Sequence, residues 1–83
     1  MLADDIREFV FAKYIEPAHR SGISEVRVRA GDVHKEMGLS QRLPAVCAAI
    51  GAQKFEKQYG IILVQREGPA NGSNAYFTFK VVE

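Results

Sequence analysis

Little in this chain advertises chemistry. It has one cysteine, Cys47, no tryptophan, three prolines and a formal charge of only +1. A lone thiol cannot close an intrachain disulfide, so cysteine usage gives no sign of an oxidising compartment. A near-neutral total removes the overall-charge argument for a polyanionic partner. No apolar run approaches the roughly 20 residues that a membrane helix needs. The opening MLADDIREF carries acidic residues and no apolar core run, so it reads as no signal peptide, and a cytoplasmic protein without membrane partners is expected. His19 and His34 stand fifteen apart and offer no metal-ligand spacing. GPANGSN, residues 68 to 74, lacks the strand-to-helix context and the lysine of a phosphate-binding loop. Asp32, His34 and Cys47 include the residue types of a cysteine nucleophile. Asp32 and His34, two apart on a helix, diverge. An enzyme is therefore not expected, and neither is a cofactor.

What is present is the pattern of one small α+β domain, spanning residues 1–83. A hydrophobic fraction of 47% and five phenylalanines supply a core despite the missing tryptophan. From about Asp4 to Arg20, Ile6, Phe9, Val10 and Tyr14 share one face of a helix. Asp4 and Asp5 suit its N-terminus, Pro17 should kink its last turn, and Gly22 should stop it. Glu25 to Arg29 alternates strictly and predicts a short strand that pairs with a later one. A second helix is predicted from about Gly31 to Met37, closed by Gly38. After a short connection a third begins near Leu43, with Pro44 where a missing N–H costs nothing. Leu43, Val46, Cys47 and Ile50 form its apolar stripe, and a break is expected near Gly51 before a further turn to Tyr59. Ala45, Ala48, Ala49 and Ala52 read as its outward face. Ile61 to Arg66 and Ala75 to Val81 then frame the turn cluster as a hairpin, with Phe77 and Phe79 facing the core beside Ile6, Phe9, Val46 and Ile50.

This order of elements resembles the winged helix-turn-helix superfamily over nearly the whole chain, from about Asp4 to Val81. The most specific stretch is VRAGDVHKEMGLSQRLPAVCAAI, residues 28 to 50, and GPANGSN occupies the place of the wing. RAGDVH and PAVCAAI are also similar to a module of prokaryotic proteins, some linked to restriction systems, which assigns no activity. The superfamily resemblance implies a three-helix core, a short strand and a C-terminal β-hairpin wing. It also implies a DNA-binding mode, with the third helix in the major groove and the wing on backbone or minor groove.

Carried over by position, Gln41, Arg42 and Ala45 fall at the exposed start of the recognition helix. Lys54 lies further along, and Arg66, Asn71 and Ser73 belong to a wing at 66–74. Each has a plainer reading: Arg42, Lys54 and Arg66 as solvated charge, Asn71-Gly72 as a turn, Cys47 as a small buried hydrophobe. The expectation is a module for double-stranded DNA, a transcription regulator or a targeting domain, with a homodimer or larger partner supplying further contacts. The alternative is a protein–protein module using the alanine-rich helix face.

Overall fold

A computed structural model describes residues 1–81. The first helical stretch comes in three pieces: α1 (Leu2–Val10), a π turn (Phe11–Ile15) and α2 (Glu16–Arg20). Pro17 is the cause. It has no N–H to donate and its ring crowds the carbonyl four residues back, so the ladder slips one residue just before it. Glu16 N–H accordingly donates to the Phe11 carbonyl, five residues back. The helix then ends on Gly22, whose φ of +73° suits glycine. Ile23 N–H reaches the Ala18 carbonyl at 2.9 Å and Gly22 N–H that of His19 at 3.2 Å, a Schellman closure.

Strand β1 (Glu25–Arg29) runs straight into α3 (Ala30–Glu36). Gly38, at φ +68°, closes α3 by the same device, with Leu39 N–H donating to the His34 carbonyl at 3.0 Å. After the connection come α4 (Leu43–Ile50) and α5 (Gln53–Tyr59). The break between them falls at Gly51, as the spacing predicts, and packing explains it. A Cβ there would lie 2.9 Å from the Cys47 carbonyl oxygen and 3.3 Å from the Phe77 ring.

Strands β2 (Ile61–Glu67) and β3 (Tyr76–Val81) form the hairpin, and the antiparallel sheet has the order β1-β3-β2. Val28 pairs with Phe77 and Val26 with Phe79 across β1 and β3. Between β2 and β3 the register slips at Val64: Leu63 pairs with Phe79, but Gln65 pairs with Thr78 and Arg66 with Phe77. This bulge inverts the alternation, so that Arg66 shares the inward side with Phe77. Ile62 and Val64 stay on the exposed side.

The core lies between the inner sheet face and the helices. Ile6, Val10 and Ile15 meet Val28, Val33, Val46, Ile50, Phe55, Phe77 and Phe79, all nearly inaccessible. Phe55 meets Phe79 edge-on with ring centroids 5.3 Å apart. Phe9, expected in the core, lies on its margin.

One expectation is overturned. Ala49 does not face outward; it is buried, 1% exposed, where α1 crosses α4. Its carbonyl accepts the Arg7 Nε–H at 3.0 Å, and Arg7 Nη1 holds Asp4 at 3.0 Å. Alanine is small enough to let the two helices approach, and Arg7 is thereby buried with its donors partnered. On another side Tyr14 donates to Glu36, whose carboxylate also meets Lys13 at 3.2 Å. The Tyr14 bond holds the Glu36 carboxyl below its usual range. That tie is therefore present at neutral pH and lost as pH falls.

Two stability measurements follow. Phe79→Ala is expected to cost about 3–5 kcal/mol, read from the denaturant midpoint, since it opens the core where two aromatic rings and two strands meet. An unchanged midpoint would place Phe79 outside the core. Arg7→Met keeps the aliphatic stem but orphans the Ala49 carbonyl, and is expected to cost about 1–3 kcal/mol in the same assay.

Candidate nucleic-acid interface

The connection from α3 to α4 is set by two left-handed residues, Gly38 and Gln41. Gln41, at φ +53°, is the one non-glycine residue with positive φ among those described. A side chain there is strained, so something must hold it. Arg42 follows as the N-cap of α4; its carbonyl takes the Val46 N–H at 2.9 Å and its own N–H donates to His34 Nε2 at 3.1 Å. The Gln41 and Arg42 side chains are left exposed, and among the described residues Arg42 enters no ion pair.

From there α4 presents a ridge of small residues. Pro44 and Ala48, one helical turn apart, are exposed, and Ala45 beside them is half-buried. No charged side chain stands on this ridge within α4.

Arg66 lies beyond the far end of the ridge. It belongs to β2 rather than to the loop, and the bulge turns it toward α4. Its guanidinium stacks 4.8 Å above the Phe77 ring, and Nη2 donates to the Ala70 carbonyl at 3.0 Å. A Cβ on Gly51 would come within 3.1 Å of Arg66 Nη1, so the guanidinium borders the break after α4. Gly51 stands nine residues after Arg42, about 13 Å along a helix at 1.5 Å per residue.

The turn cluster folds back against the helices. Gly31 N–H donates to the Ser73 carbonyl at 2.9 Å, and Ala30 N–H to that of Ala75 at 2.9 Å. Gly31 is required there: a Cβ would sit 2.8 Å from the Ser73 oxygen. Arg29 clamps the loop further, donating through Nε and Nη2 to Asn74 Oδ1 at 3.1 and 2.9 Å, with Nη1 on Asp32 at 2.8 Å. On the α4 side the Cys47 thiol points to the Gly72 carbonyl at 3.9 Å. Ser73 is half-buried by this docking, and Asn71 remains exposed.

Six of the seven residues singled out from the sequence therefore lie around α4 and the loop docked beside it. Gln41, Arg42 and Ala45 stand at the start of α4, Arg66 borders the break after it, and Ser73 and Asn71 lie on the loop that Gly31 of α3 and Cys47 of α4 meet at Ser73 and Gly72. Lys54 stands apart, on the α1 side, with its ammonium 3.6 Å from the Asp4 carboxylate. The clamp residues Arg29 and Asn74 escaped the sequence reading. Arg29 and Asp32 have the i,i+3 spacing of a helical ion pair, but nothing local joins Arg29 to a residue 45 positions later.

A cleft of about 210 Å³ lies elsewhere, lined in part by Phe11, Tyr59, Glu16 and His19. It is smaller than the roughly 300–1,000 Å³ typical of small-molecule sites. Among the described residues no helix is long and apolar enough to cross a membrane. Comparison with family models, curated proteins and solved structures returned no match.

Cys47 gives this face a chemical test. It is wholly buried, and burial pushes its thiol up from the ordinary range, with the Arg66 charge pulling the other way. The native protein is expected to resist thiol reagents and to label only on denaturation, because attack needs an accessible thiolate. Rapid labelling of folded protein would mean that the loop opens away from α4.

Proposed function

We propose that this domain is a winged helix-turn-helix that binds double-stranded DNA, with α4 as the recognition helix and the β2–β3 hairpin as the wing. The observation that carries the reading is the exposed Gln41-Arg42 pair at the start of α4, the middle one of three helices inserted between β1 and the hairpin of a β1-β3-β2 sheet. Arg42 has a planar, permanently charged fork free for a guanine edge or a phosphate. The small ridge of Ala45 and Ala48 lets the helix backbone approach bases closely, and alanine methyls suit a thymine methyl. Arg66 and Asn71 border the other side, where backbone contacts belong. Such a module serves as a regulator of transcription or as the targeting part of a larger assembly.

A second reading rests on a specific observation too. The Pro44–Ala48 ridge carries no charge and the loop lies closed against the body, which suits a protein partner docking on α4. Binding to DNA decides between them, because phosphate contacts release counterions and protein docking on a neutral ridge does not.

The test is a titration of labelled duplex at several salt concentrations. With two or three cationic contacts per monomer, non-specific affinity should be around 10⁻⁴–10⁻⁶ M and should weaken as salt rises. Arg42→Ala is expected to cost about 1–3 kcal/mol and to relax sequence preference. Arg66→Gln should weaken all sequences alike and flatten the salt slope by about one contact. Lys54→Ala, whose charge Asp4 already engages, should have the smallest effect. Absence of salt-dependent binding at low ionic strength would discard DNA and leave the docking reading.

A further inference from the structure

We infer that His34 is the latch of the α3–α4 connection, and that it holds only while its imidazole is neutral with the proton on Nδ1. One residue closes both ends of this connection. The His34 carbonyl accepts the Leu39 N–H at 3.0 Å, which ends α3, and its ring Nε2 accepts the Arg42 N–H at 3.1 Å, which opens α4. Between those two bonds the chain passes through Gly38 and Gln41, both left-handed. Glycine occupies that region freely, but Gln41 does not. The Nε2 bond fixes the peptide immediately after Gln41 and so opposes its return to the right-handed region. It also gives a partner to the N-cap N–H of a helix that no side-chain oxygen caps.

The bond needs a bare ring nitrogen. A neutral imidazole has one donor and one acceptor nitrogen, and the bond made at one fixes the proton on the other. An imidazolium has two donors and no acceptor, so it would oppose two N–H groups at the latch. The charged groups around His34 do not replace the bond. On α3, Lys35 is adjacent, Asp32 is engaged by Arg29, and Glu36 is engaged by Lys13 and Tyr14. From α4 the charged neighbour is Arg42 itself, and among the described residues His34 has no carboxylate partner. Protonation therefore releases the turn that aims Gln41 and Arg42. The latch is a property of the free domain; its effect on DNA rests on the function proposed above.

Three proteins test it: the parent, His34→Gln and His34→Phe. Glutamine places an amide oxygen where Nε2 stands and does not titrate; phenylalanine keeps the ring and removes the acceptor. In the parent at neutral pH, long-range proton–nitrogen correlation should show His34 with Nδ1–H and bare Nε2, with exposed His19 as an internal comparison. Exchange of the Arg42 amide should be about tenfold slower in the parent and in His34→Gln than in His34→Phe, as one hydrogen bond implies. Once the ring nitrogen shifts of His34 report the imidazolium on acidification, the parent should have lost that protection and His34→Gln should keep it. Duplex affinity should follow the same pattern. An Nε2–H tautomer, or equal Arg42 exchange in the parent and His34→Phe, overturns the latch, and the tautomer alone decides if His34→Phe folds poorly. If no protein binds duplex but exchange behaves as stated, the latch stands and the DNA reading falls.

Discussion

Everything in this domain hangs on β3 being paired on both edges. It is the central strand, yet it is the last element among the described residues. Its partner β1 lies about fifty residues earlier, so the β1–β3 ladder closes around α3, α4, α5 and β2. Long loops of this kind are entropically costly to close, and a five-residue strand cannot repay that by hydrogen bonds alone. Phe77 and Phe79 supply the compensation. They project from β3 into the space that α1, α4 and α5 enclose, so pairing β3 and filling the core are one event. The helix pair that carries the candidate interface is held at both ends by this closure, through β1 before α3 and through β2 after α5.

What could be read from the sequence was whatever a local rule controls. Gly22, Gly38 and Gly60 all end helices at positive φ, as their positions after polar last turns suggest. Strand β1 is legible from five alternating residues, and the break near Gly51 from the apolar stripe, because Phe55 falls five rather than four positions after Ile50. Pro17 announced an interruption, though not its form. Whether the ladder kinks or slips into a π turn depends on what the flanking side chains pack against, and Phe11 stacks on Tyr59 at 4.3 Å, a partner far along the chain.

What was illegible depends on contacts between distant residues. Ala49 looks like Ala48 in any helical pattern; only the crossing of α1, with Arg7 laid against the Ala49 carbonyl, separates a buried alanine from an exposed one. Arg66 is the same case in a strand. Unbroken alternation from the buried Ile61 would turn it outward, and the bulge at Val64 brings it in beside Phe77. The loop is similar. Its asparagine and glycines mark a turn, but its closure against α3 comes from Arg29 on another strand and from a glycine at position 31 that lets the backbones meet.

The near-neutral charge also takes on a different meaning once the partners are known. Four carboxylates, Asp4, Asp32, Glu36 and Glu67, engage Arg7, Lys54, Arg29, Lys13 and Arg27 inside the described fold. These ties join α1 to α5, β1 to α3, the π turn to α3 and β1 to β2. Exposed pairs of this sort contribute little stability each, but each sets one sign of charge beside the other and so weakens the field both project. Arg42 and Arg66 are outside all of them, as are Arg20, Lys35, Lys57 and Lys80. Along α4 two such arginines stand near its two ends with a small apolar ridge between them, and a total of +1 averaged over the chain conceals that arrangement.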